Sequence, residues 1–84
     1  MKLFGSLLCP DCPPVIKMLK NRGVDFEFVN INESMENLKS FLALRDNRFE
    51  FNEIKSDGKI GIPCMVLEDG KVIFEDGIVE MFDK

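Results

Sequence analysis

The sequence predicts a single α/β domain over residues 1–84, built on a four-stranded mixed sheet with helices on both faces. Three observations predict it. Strand-length apolar runs alternate with helix-spaced apolar residues through the first half of the chain. An Asp69-Gly70 pair between two further apolar runs marks a hairpin. A length of 84 residues leaves room for one core and no second domain. A strand–helix–strand start implies a parallel, right-handed unit, and the late hairpin adds an antiparallel pair.

The elements follow in order. Lys2 to Phe4 reads as a short strand that breaks at Gly5-Ser6. Val15, Ile16, Met18 and Leu19 then recur at helical spacing, with Lys17, Lys20 and Arg22 on the other side. Gly23 stands where a left-handed residue closes a helix. Asp25 to Val29 sets Phe26 and Phe28 against Asp25 and Glu27, the alternation of a half-buried strand. Asn32 or Ser34 caps a second helix with Met35, Leu38, Phe41, Leu42 and Arg45 on one face. In the stretch 47–59, Phe49, Phe51 and Ile54 call for burial around one helical turn near Asn52 to Lys55. Met65 to Leu67 and Val72 to Phe74 flank the hairpin turn, and Ile78, Val79, Met81 and Phe82 predict a closing helix of about two turns.

Composition removes several functions. The chain has no His, so a histidine metal site, a Cys-His nucleophile pair and a histidine acid or base are excluded. A net charge of -4 from dispersed acidic residues opposes nucleic-acid binding, which needs a clustered basic face. No apolar stretch approaches a membrane span, and the N-terminal residues lack the basic and long apolar regions of a signal peptide. A cytoplasmic monomer is expected, and three cysteines, two of them a C-x-x-C pair, suit a reducing compartment.

The chemistry concentrates in Cys9-Pro10-Asp11-Cys12. Pro10 and Asp11 suit the two central positions of a turn, which brings the flanking residues within about 7 Å between Cα atoms, inside disulfide range. The helix that follows offers unpaired amides and the positive end of its dipole, which favour a thiolate. Cys9, the outer sulfur, is expected to attack, and Cys12 to resolve the mixed disulfide. The Asp11 carboxylate opposes that activation. Pro13-Pro14 is expected to delay the regular helix to Pro14, leaving Cys12 in a non-helical turn. The pair is also compatible with half of a zinc site, but with only Cys64 in addition and no His, a closed site needs an outside ligand or an Asp. Inert thiols are the remaining reading. Cys64 itself reads as a buried core residue.

With Gly61-Ile62-Pro63 before the hairpin, these residues resemble the glutaredoxin family of the thioredoxin superfamily, over nearly the whole chain. The family usually has Tyr where Asp11 stands, so this is an atypical member. Thioredoxins proper usually carry Trp before the first cysteine and Gly-Pro between the pair; neither occurs here. The resemblance implies a thioredoxin fold and a thiol-disulfide oxidoreductase acting on protein or glutathione mixed disulfides. It implies a cis-proline at Pro63, and backbone pairing of Ile62 with the peptide part of glutathione. Glutathione is then a co-substrate, and no bound cofactor is required. Asp76 and Gly77, ahead of the last helix, stand where the family holds the γ-glutamyl end. The family's basic residue before the first cysteine is replaced by Ser6, Leu7 and Leu8. The segment 47–59, with Arg48, Lys55 and Lys59 and with Arg45 just before it, reads as a solvated surface, or else as a site for a substrate carboxylate. Two other functions fit the same residues. One is a redoxin reduced by a thioredoxin reductase-like flavoprotein. The other is a binding module, with Cys9 ligating an iron–sulfur cluster between two subunits or Cys9 and Cys12 delivering a metal.

Overall fold

Every predicted element forms, and the elements fall where apolar periodicity changes. The computed structural model describes residues 1–83. In chain order it contains β1 (Lys2–Gly5), α1 (Cys12–Asn21), β2 (Glu27–Asn30) and α2 (Met35–Asn47). A 3-10 turn at Phe49–Phe51 leads into α3 (Asn52–Ser56), followed by β3 (Cys64–Val66), β4 (Val72–Phe74) and α4 (Glu75–Phe82). The sheet order is β2-β1-β3-β4. β1 pairs in parallel with β2, Leu3 opposite Phe28, and antiparallel with β3, Phe4 opposite Cys64. β3 and β4 form the predicted hairpin, closed by the Leu67 amide on the Lys71 carbonyl at 2.8 Å. This is the mixed α/β sheet of the thioredoxin fold.

Alternation along the central strands divides the core between the two faces of the sheet. Leu3 and Met65 pack with Val15 and Leu19 of α1 and Ile78 of α4. Phe4 and Cys64 pack on the other face with Phe41 of α2 and with Phe51. There the rings form a chain: Phe4 to Phe41 at 5.9 Å, Phe41 to Phe51 at 6.0 Å and Phe51 to Phe74 at 5.0 Å between centroids. Such pairs add about 0.5–1.5 kcal/mol each beyond the area they bury. The chain of rings ends beside the candidate site.

The end of α1 and the start of α2 follow the capping rules. At the end of α1 the Gly23 amide bonds the Lys20 carbonyl and the Val24 amide bonds the Leu19 carbonyl, with Gly23 at φ +71°, a Schellman closure. Ser34, of the two predicted caps, is the one that caps α2: its hydroxyl accepts from the Asn37 amide at 3.1 Å. Three expectations need correction. α1 begins at Cys12 rather than Pro14. Pro13 and Pro14 fall among the first positions, whose amides have no partner within a helix, so their missing N–H groups cost no helical bond. Phe49 is exposed, because the 3-10 turn directs Phe51, its neighbour two residues on, into the core instead. On α2 the inward side is Leu38, Phe41 and Leu44; Met35 and Leu42 are exposed.

Candidate active site

The first wall of the site is a local construction. The Cys12 amide bonds the Cys9 carbonyl at 3.3 Å, and Asp11 lies at φ -87° and ψ -18°, close to the third position of a type I turn. Cys9 is half-buried at the surface and Cys12 is fully buried behind it; both are free thiols. Of the four amides that precede helical bonding, Pro13 and Pro14 supply none, and that of Cys12 is spent on the Cys9 carbonyl. The helix dipole therefore reaches Cys9 with few free N–H donors behind it.

Cys12 sits against the end of β1. Gly5 admits it: a Cβ there would lie 3.0 Å from the Cys12 sulfur. The Ser6 amide donates to that sulfur at 3.4 Å. The Ser6 side chain in turn accepts from the Leu8 amide at 3.0 Å and donates to Asn32 Oδ1, which ties the loop before Cys9 to the chain after β2. Burial pushes the Cys12 thiol from an ordinary 9.0 up to about 11. The Ser6 amide opposes this, while a hydrogen bond with Cys9, the Cys9 charge and the Asp11 carboxylate add to it. At neutral pH such a thiol is ionised to roughly one part in ten thousand. Cys12 is a proton-bearing thiol beside the Cys9 sulfur. Neither Gly5 nor Ser6 was singled out by sequence reasoning as part of the site; only their place at the strand's break hinted at it.

The second wall is built from distant parts of the chain. Ile62-Pro63 is a cis peptide, as the resemblance implied. Gly61 before it lies at φ +101°, and a Cβ there would come within 2.9 Å of the Phe51 ring, so glycine is needed twice over. Arg45, from the last turn of α2, donates to the carbonyl of Lys59 at 2.7 Å and that of Ile60 at 2.9 Å. It braces the loop that leads into Gly61. Arg48 is also engaged, in a paired contact with Glu50 and a 3.1 Å bond to the Gly70 carbonyl. Neither arginine serves as a free surface charge.

The walls enclose a cleft of about 790 Å³ that joins Cys9, Pro10 and Asp11 to Lys59–Pro63 and to Phe74, Glu75 and Asp76. Of the substrate-binding residues anticipated from sequence, Ile62, Pro63 and Asp76 line it. Gly77 does not. It and Asp76 lie inside the first turn of α4 rather than ahead of it, and a Cβ on Gly77 would press to 3.2 Å from Ile73. Gly77 thus lets α4 approach β4. Lys59 lines the cleft; Lys55 does not. The Glu75 carboxyl is pushed above the usual carboxylate range by burial first and then by the charges of Asp11 and Asp76. Cys64 is fully buried in the core face opposite α1, and burial, with the charge of Cys12, pushes it up to about 12. Among the described residues, no group of three or more His, Cys, Asp or Glu is placed to hold a metal ion.

The glutaredoxin family model matches residues 1–73, from β1 into β4. The chain belongs to the glutaredoxin family. Family membership supports a role of the thiol-disulfide oxidoreductase kind for the chain. An uncharacterized protein of Haemophilus influenzae is 41% identical over 73 residues, covering 87% of this chain and 85% of its own. No solved structure matches. Glu75, Asp76 and Gly77 lie beyond the residues that the glutaredoxin family model covers. Among the described residues, no helix is long and apolar enough to cross a membrane.

Proposed function

We propose that the chain is a dithiol thiol-disulfide oxidoreductase that reduces protein or glutathione mixed disulfides. The observation that carries the proposal is the asymmetry of the pair: Cys9 reaches the cleft, while Cys12 is buried behind it with its proton retained. The Cys9 thiolate attacks one sulfur of the bound disulfide and expels the other as a thiolate, which takes up a proton from solvent. The Cys12 thiol then surrenders its proton and attacks Cys9 Sγ, which releases the second half of the substrate and leaves a Cys9–Cys12 disulfide. Two electrons have passed from protein to substrate. Ile62 and Pro63 form the wall along which an extended substrate lies, with the Ile62 backbone offering hydrogen bonds in the manner of an added strand. Asp76 faces the same space and is suited to a substrate ammonium group.

Glutathione or a flavoprotein reductase returns the electrons; no resident cofactor takes part. The test is reduction of a mixed disulfide with glutathione and its reductase, run beside a thioredoxin reductase. Turnover with the first assigns glutathione as the donor, and turnover with the second alone assigns a flavoprotein. Absence of turnover with both overturns the proposal.

A further inference from the structure

The charges around Cys9 are distributed unevenly, and this bears on substrate. Asp11 stands beside the nucleophile, Glu75 and Asp76 stand across the cleft at the start of α4, and Lys59 is the cation that lines the same space. Among the described residues, the ion pairs join the N-terminus to Glu68, Arg22 to Asp83 and Arg48 to Glu50; none engages Asp11, Glu75 or Asp76. Burial first, and then the charges of Asp11 and Asp76, raise the Glu75 carboxyl, so these groups face one space. Apolar surface lines the cleft as well: Ile60, on the wall opposite Cys9, is 58% exposed, and Ile54, Ile62 and Phe74 line the same space. A cleft of about 790 Å³ has room for residues on either side of a disulfide, as a polypeptide supplies.

We propose that the Cys9 cleft prefers polypeptide disulfides with a lysine or arginine beside the half-cystine, and that Asp11, Glu75 and Asp76 are its specificity-determining residues. This rests on the dithiol reading above and names its substrate class. Glutathione carries two carboxylates and one ammonium, so its mixed disulfides bring net negative charge toward three carboxylates and one lysine. A basic flank brings attraction instead, within a concave site where fields from one sign of charge are focused. The reaction is the exchange already described, with the peptide disulfide as oxidant, the Cys9–Cys12 dithiol as reductant, and the Cys12 proton passing to the departing thiolate.

The test uses pre-reduced full-length protein and three short peptides that share an apolar core and one cysteine, each blocked as a disulfide with neutral 2-mercaptoethanol. The residues flanking the cysteine are Arg, Gln or Glu. The expected result is that the Arg peptide is reduced about tenfold faster than the Glu peptide at low ionic strength, with the Gln peptide between them. The ratio should fall toward one near 1 M salt, where the screening length is about 3 Å. In the Glu75→Gln, Asp76→Asn double variant, and to a smaller degree in Asp11→Asn, the low-salt ratio should shrink. Equal rates for all three peptides, or an unchanged ratio in these isosteric variants, overturn the charge preference and leave the dithiol reaction standing. Failure to reduce even the Gln peptide overturns the dithiol reading, and this inference with it.

Discussion

The Cys9–Cys12 turn is held by bonds that span three to six residues, with the Ser6–Asn32 contact as its long tie, whereas the Lys59–Pro63 wall hangs on Arg45, fourteen and fifteen residues earlier, and on Phe51. A turn fixed by Pro10 and Asp11, with a helix directly after it, needs little from the rest of the molecule. The opposite wall has no such local logic. Its shape depends on α2 being placed correctly over the sheet, so that a guanidinium meets two carbonyls and a ring fills the space beneath Gly61. A reactive pair can be written in four consecutive residues, but the surface that presents a substrate to it must be assembled.

The comparison can be broken most severely at the local wall. Cys9→Ser is expected to abolish disulfide reduction, while Cys12→Ser leaves the first step intact and accumulates a Cys9 mixed disulfide, visible by intact mass. Trapping on Cys12 in the Cys9→Ser protein would reverse the assigned roles. At the distant wall, Gly61→Ala is expected to cost roughly 1–3 kcal/mol in urea denaturation, because a left-handed residue and a clash with Phe51 are combined. Gly70→Ala is the control: it shares a positive φ, +87°, but meets nothing within 4 Å, so its cost should be clearly smaller. Equal losses for the two would mean that Phe51 does not shape the loop.

A smaller effect is expected at Arg45. Arg45→Ala removes two charge-assisted bonds from an exposed site, worth about 1 kcal/mol together, and should raise KM for a disulfide substrate more than it lowers kcat. Arg45→Lys should recover only part, since an ammonium cannot reproduce the planar fork. The smallest effect belongs to pH. Cys12 and Cys64 hold their protons more tightly folded than unfolded, so their contribution to stability is complete below about pH 9 and is lost as pH rises toward 11 and 12. The denaturation midpoint should therefore decline over that window, and Cys64→Ala should flatten the decline while leaving the slope below pH 8 unchanged. For the same reason, iodoacetamide at neutral pH should label Cys9 well before either buried thiol.

Much of the fold was legible because its signals are local. Alternating Phe26 and Phe28, the Ser34 cap, Gly23 and Asp69-Gly70 each specify backbone geometry within a few residues. The turn between Cys9 and Cys12 was legible on the same basis, and the cis peptide at Ile62-Pro63 from the family resemblance. Errors arose where two local preferences competed. Steric restriction before Pro13 and Pro14 argued against helix at Cys12, but a free helix start tolerates both rings, and burial of Cys12 and Val15 favours the earlier start. In the segment 47–59, three apolar residues appeared equally entitled to burial, and only the path of the 3-10 turn selected Phe51 and Ile54 over Phe49.

By itself the sequence determined the order of strands and helices, the spacing of the cysteine pair and the turn that joins it, since each depends on torsional preference and apolar spacing along one short stretch. Only the tertiary structure decided which groups surround that dithiol. Arg45 reads as one more surface cation until α2 sets it against the Lys59 and Ile60 carbonyls, and Ser6 as a break residue until its amide reaches the Cys12 sulfur. Asp11, Glu75 and Asp76, scattered through an evenly acidic chain, come to face one cleft when β4 delivers the start of α4 to it. Charge and hydrogen bonding act through space, and distance in space is what chain order leaves open.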